Sequence, residues 1–199
     1  MARDTRRGGM IITAVQVLRE RGGADGLTVE EVLLRSGAPK GSVYYHFPGG
    51  GRTELLDEAL TYAGNTVSAL LNRAATDGPE SVLQEFIDIW RHVLTDSGYT
   101  AGCPVVAVAV SRTESEELAD KARGFFNQWA TALTNAFLAE GMSESTARQL
   151  ATLSIATIEG AVVLCRAHRS ITPLEDALAQ LRTLINCHRF ARDNFTLAP

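Results

Sequence analysis

Apolar residues in this chain return every three or four positions almost from end to end, and no alternating run bounded by turn residues interrupts them. That period belongs to one face of an α-helix and leaves no segment for strands, so the expected fold is all-α. The breaks fall at turn signals: Gly22-Gly23, Ser36-Gly37, Pro48 to Gly51, Asp77-Gly78-Pro79, Ser97-Gly98, Glu140-Gly141 and Ile171-Thr172-Pro173. They predict three short helices, a longer fourth, and further helices at 80–96, 104–111, 114–139, 143–168 and 173–193.

Local chemistry supports the early boundaries. Ile11, Ala14, Val15 and Leu18 share one face of the first helix. Thr28 and Glu31 have the spacing of a capping box, in which the hydroxyl takes a first-turn amide and the carboxylate reaches back to the cap. Val32 faces inward on the second helix. Pro39 opens the third, where its missing N–H costs nothing. Leu56, Leu60, Ala63, Val67 and Leu70 form the inner stripe of the fourth.

Composition narrows the function. With 45% hydrophobic and 21% charged residues, the 199-residue chain has the balance of a globular protein. No apolar run reaches the roughly 18 residues of a membrane span, and the N-terminus lacks a signal-like apolar block, which gives a cytoplasmic reading with no membrane partner. Three widely spaced cysteines, Cys103, Cys165 and Cys187, suit a reducing compartment without a disulfide framework.

Charge is unevenly distributed. The net −4 argues against indiscriminate coating of nucleic acid, yet residues 1–47 hold seven basic against five acidic side chains, and the remainder twelve against eighteen. A basic N-terminal part on an acidic remainder points to local contact with phosphate. No nucleophile elbow, phosphate-cradling loop, His-Glu-x-x-His or Cys-x-x-Cys occurs, so no enzyme, cofactor or metal site is expected.

The segment from Thr28 to Phe47, two short helices joined through Gly37, has the spacing of a helix-turn-helix, whose second helix enters the major groove. Val43 and Phe47 lie one turn apart and anchor that helix. Lys40, Gly41, Ser42, Tyr44, Tyr45 and His46 are then left around its outward arc.

These residues resemble the TetR-type transcriptional repressors. The likeness rests on Gly26-Leu-Thr-Val-Glu-Glu-Val32, on Ser36-Gly-Ala-Pro-Lys-Gly-Ser-Val-Tyr-Tyr-His-Phe47, and on Arg52-Thr-Glu-Leu-Leu56. It implies a three-helix DNA-binding domain (1–51) joined by a long helix to a helical effector-binding and dimerisation domain (52–199). It also implies roles: Thr28 capping its helix against a phosphate, Lys40, Gly41 and Ser42 meeting base edges, Tyr44 and His46 holding phosphates, and Tyr45 doing either. Arg52 stands where the family has a lysine that contacts phosphate. Three glycines precede it here, one more than in relatives with a Phe-Pro-Gly-Gly turn, which leaves open whether Arg52 reaches the DNA. Glu30 is acidic where some members place a basic groove contact.

Gly102-Cys103-Pro104-Val-Val-Ala-Val-Ala-Val-Ser111 and Ile158-Glu159-Gly160-Ala161-Val162-Val163-Leu164 resemble elements of the LmrA/YxaF-like branch. That branch implies a small-molecule inducer among the C-terminal helices. Candidate lining residues are Phe86, Trp90, Cys103, Val106, Phe125, Trp129, Leu164 and His168, with plain core packing as the competing and stronger reading of each. The two tryptophans stand out because a buried indole N–H wants a partner. A homodimer through the last two helices is also implied, and the small residues Ala151, Ser154, Ala156, Gly160 and Ala161 with the stripe Leu178, Leu181, Leu184 and Ile185 suit it, although internal packing accounts for the same pattern. The expected function is a dimeric repressor released from a palindromic operator by an effector. Its rivals are a same-family activator or effector-independent regulator, and a helical enzyme or binding protein with a vestigial DNA-binding module.

Overall fold

A computed structural model describes residues 2–111 and 116–195. Among them are nine α-helices and no strand: α1 (Ala2–Arg21), α2 (Val29–Ser36), α3 (Ser42–His46), α4 (Arg52–Ala74), α5 (Pro79–Asp96), α6 (Pro104–Ala109), α7 (Glu116–Ala139), α8 (Glu144–His168) and α9 (Thr172–Phe195). The expected start of the seventh helix at Glu114 lies outside the described residues. The chain forms two compact units, residues 1–68 with 100–127 and residues 69–99 with 128–199. The divisions fall within α4, between α5 and α6, and within α7.

In the first unit α6 returns to α1, which is why residues after 100 join the N-terminal helices. Gly102 N–H donates to the Arg19 carbonyl at 2.8 Å. Ser111 Oγ accepts from Ala24 N–H at 2.8 Å and donates to the Ala107 carbonyl at 2.8 Å. The core centres on Met10, Ala14, Val17, Leu18, Leu27, Val32, Val43, Phe47, Leu55, Leu56 and Leu60, all buried. Ile11 is only half-buried, so the inner face of α1 lies nearer Met10 and Val17 than its periodicity suggests. Gly64 gives α4 and α7 a close approach: a Cβ there would stand 2.4 Å from the Phe125 ring.

The capping box is half-formed. Thr28 Oγ1 accepts from Glu31 N–H at 3.2 Å, but the Glu31 carboxylate turns to Arg21 at 3.0 Å and Arg35 at 2.6 Å. Two guanidinium donors bind a carboxylate more strongly than one backbone amide does. The hydrogen bond from Arg21 is the main reason that the Glu31 carboxyl is held below its ordinary value.

In the second unit α5, α8 and α9 pack on one another. Phe86, Trp90, Trp129, Phe137, Ile158, Val162, Leu181 and Ile185 fill the interior. The α8–α9 turn uses Arg169 in a left-handed conformation (φ +50°), its N–H on the Cys165 carbonyl. Arg189 of α9 reaches Glu140 at 3.0 Å and Glu80 at 2.6 Å. On α4 Leu71 is buried one turn after Val67, where the sequence pattern pointed to the half-buried Leu70. α8 is, by length and composition, apolar enough to cross a membrane, contrary to the expectation from its sequence. Its inward face instead packs on α5 and α9, which such a core helix does equally well.

Two outcomes follow for stability. Gly64→Val is expected to lower the unfolding free energy by about 1–3 kcal/mol through overpacking against Phe125, read from urea titration. The lowered Glu31 carboxyl stabilises the fold above its ordinary titration range, and that contribution is lost as pH falls through the lowered value. Glu31→Gln is therefore expected to melt earlier than the parent at neutral pH and together with it in acid.

Candidate nucleic-acid interface

The helix-turn-helix is built by two backbone reversals. α2 ends at Gly37 (φ +67°), and Ala38 N–H closes on the Leu33 carbonyl at 3.1 Å. Pro39 to Gly41 form a turn, with Ser42 N–H donating to the Pro39 carbonyl at 3.1 Å. α3 thus begins at Ser42 and not at Pro39, because Gly41 at φ +84° is outside the helical region and only glycine enters that conformation freely.

Val43 and Phe47 are fully buried, as the one-turn spacing requires. Phe47 also lies beneath the Arg7 guanidinium, 5.0 Å from the ring centroid. Arg7 Nε donates to the His46 carbonyl at 3.3 Å, and Nη2 pairs with Glu58 of α4. One side chain of α1 therefore ties the end of α3 to α4. Sequence reasoning missed it, since nothing in the local pattern of Arg6-Arg7-Gly8 distinguishes Arg7 from a solvated arginine.

The outward arc is smaller than expected. Tyr44 and Tyr45 are 69% and 61% exposed, and Lys40, Gly41 and Thr28 are exposed too. His46 is buried at 7% exposure, with the Tyr45 ring edge-on at 5.1 Å. It lies three residues after Val43 and beside Phe47, so it shares their inward side. Ser42 is half-buried, its hydroxyl 4.0 Å from Met10 Sδ, and is turned toward α1.

Arg52 is directed inward. Its Nε donates to the Leu27 carbonyl at 2.8 Å and its Nη2 to the Ala24 carbonyl at 2.6 Å, clasping the link between α1 and α2 onto the start of α4. Even so, Thr28, Tyr44 and Arg52 line one depression of about 740 Å³, with Asp25, Leu27, Val29 and Glu30. A second surface depression runs from Leu34 past Lys40 and Gly41 to Tyr44.

The inducer candidates separate. Phe86, Trp90 and Trp129 come together in the second unit, with ring centroids 6.3 Å apart for Phe86–Trp90 and 5.6 Å for Phe86–Trp129. The Trp90 indole N–H is buried with no acceptor among the described residues. Leu164 and His168 are exposed, whereas Ile158, Val162 and Cys165 of the same helix are buried. Phe125, Cys103 and Val106 belong to the first unit. There Phe125 packs on Gly64, and Cys103 caps α6, its sulfur accepting from Val106 N–H at 3.5 Å. Burial pushes the Cys165 thiol up from its ordinary value, which makes it an inert core residue.

Comparison with known proteins agrees with this geometry. Residues 79–180 match the family described as transcriptional regulator LmrA/YxaF-like, C-terminal domain. An uncharacterised HTH-type transcriptional regulator of Mycobacterium tuberculosis is 38% identical over 182 residues, 88% of this chain and 92% of that protein. The HTH-type transcriptional regulator LmrA of Bacillus subtilis is 30% identical over 168 residues, 82% of this chain and 88% of LmrA. A TetR transcriptional regulator from Legionella pneumophila has the same fold, with a TM-score of 0.78 at 18% identity over 88% of this chain and 95% of that one. One from Agrobacterium tumefaciens gives 0.78 at 19%, over 92% and 97%. Fold, recognition helix and relatives define a DNA-binding transcriptional regulator, not an enzyme. More narrowly, the chain belongs to the LmrA/YxaF-like branch of the TetR-type family.

The internal use of Arg52 sets a test. Arg52→Ala removes the guanidinium donors to the Leu27 and Ala24 carbonyls, leaving Ala24 only the Leu27 N–H, and is expected to lower the unfolding free energy by about 1–3 kcal/mol. Tyr44→Ala removes an exposed ring and should stay within about 0.5 kcal/mol of the parent in the same urea titration.

Proposed function

We propose that this regulator is a cytoplasmic repressor that binds a palindromic operator as a homodimer and is released by a small molecule held in the second unit. The carrying observation is the exposed set Lys40, Gly41, Tyr44 and Tyr45 on a helix anchored by Val43 and Phe47. Lys40 and Gly41 are assigned to base edges, Thr28 and Tyr44 to phosphates, and Tyr45 to either. Ser42, His46 and Arg52 would join them only by rearrangement, since Ser42 is turned to Met10, His46 is buried and the Arg52 guanidinium is held by the Leu27 and Ala24 carbonyls.

Dimerisation is supported by an exposed small and apolar stripe on α8, Leu153, Gly160, Val163 and Leu164, and by Leu184 on α9. At Gly160 an added Cβ would meet nothing within 4 Å, so the stripe is open to a second copy. Ala151, Ser154, Ala161, Leu178, Leu181 and Ile185 are buried within the unit and serve internal packing instead. Two copies are required because one short helix reads only a few base pairs. For the inducer, the unsatisfied Trp90 indole beside Phe86 and Trp129 favours an apolar or aromatic molecule with a hydrogen-bond acceptor. Release is then a population shift: inducer favours a dimer unsuited to the operator, and DNA weakens inducer binding by the same factor.

A gel shift on the DNA flanking its own gene tests the reading. Salt-sensitive, sequence-dependent retardation is expected, and no retardation, or equal retardation of random DNA, refutes it. Lys40→Ala is expected to change sequence preference by about 1–3 kcal/mol at the base pair it contacts.

A further inference from the structure

The third glycine of the turn before α4 is where the backbone meets a side chain of the recognition helix. Gly51 is buried and left-handed (φ +56°). Its N–H donates to the Phe47 carbonyl at 2.9 Å, and its carbonyl accepts from Leu55 N–H at 3.0 Å. The next residue, Arg52, is fastened to the Leu27 and Ala24 carbonyls. The backbone at this point is therefore held from both sides.

A Cβ on Gly51 would lie 2.9 Å from Cε1 and 3.2 Å from Cδ1 of Tyr44, well inside van der Waals contact. With the backbone held, the element able to yield is the tyrosine ring, which is mostly in solvent. The neighbouring glycines differ. At Gly50 the nearest atom to an added Cβ is 3.6 Å away, and at Gly49 it is the flexible Glu54 carboxylate at 3.1 Å.

We propose that Gly51 is a positioning residue for DNA binding: its bare Cα seats the Tyr44 ring and so holds the phenol where it meets a phosphate. The inference rests on the phosphate role given to Tyr44 above. It also joins two departures from the family pattern. The added glycine accompanies an Arg52 that points inward, and Tyr44, lining the same depression, supplies the outward contact.

The test is a double-mutant cycle on the full-length protein, read by fluorescence anisotropy with a random-sequence DNA duplex at low salt, since a phosphate contact is independent of sequence. Tyr44→Ala is expected to weaken binding about tenfold or more, the loss of a hydrogen bond to a charged group. Gly51→Ala should weaken it several-fold, and Gly51→Asn likewise, because asparagine accepts the left-handed backbone yet still carries a Cβ. Gly50→Ala should leave binding unchanged. In the Tyr44→Ala background, Gly51→Ala should change binding by less than about twofold. Thermal melts establish that each variant is folded. An equal loss from Gly51→Ala in both backgrounds, or no loss in the parent, overturns the positioning role while leaving the tyrosine contact standing. No loss from Tyr44→Ala overturns the phosphate reading itself, and the positioning role falls with it.

Discussion

A helix of five residues has no stability of its own, because nucleation fixes several backbone dihedrals for very few hydrogen bonds. α3 is such a helix, and its existence depends on the burial of Val43 and Phe47 in the core made by α1, α2 and α4. Once those two side chains are inside, the backbone between them projects Tyr44 and Tyr45 to solvent. The exposed surface proposed to meet DNA is a by-product of an apolar anchor, and the glycines on either side let the chain enter and leave the anchor in so few residues.

Arginines complete the construction. Arg7 covers Phe47 and grips the last turn of α3, while Arg52 holds the start of α4 against the carbonyls before α2. Both place guanidinium donors on backbone oxygens of the first unit. This explains how a basic N-terminal part can be less available to phosphate than its charge suggests: some of the cations already have acceptors inside the protein.

The second unit follows a different logic. Long helices α8 and α9 bury one face against α5 and leave another apolar strip uncovered, so the same amphipathic pattern serves the interior and a surface together. Phe86, Trp90 and Trp129 form its aromatic centre, where the Trp90 indole N–H, without an acceptor among the described residues, is an unusual polar element in an apolar setting.

The all-helical fold, most helix boundaries, and the inward pair Val43 and Phe47 were legible in the sequence, because helical periodicity and turn chemistry are local properties. So were the Thr28 cap and the family, which rest on residues close together in the chain. What only the tertiary structure decided are the choices among partners distant in sequence. Glu31 pairs with Arg21 and Arg35 instead of its own cap, Arg52 turns to Ala24 and Leu27, and α6 joins α1 through Arg19 and Ser111. His46 and Leu164 show the same limit in packing: a helical wheel gives a residue's angle on its own helix, but which angles are covered depends on where neighbouring helices lie. Periodicity is written along the chain, whereas burial and hydrogen-bond pairing are settled by competition among groups that meet only in the folded molecule.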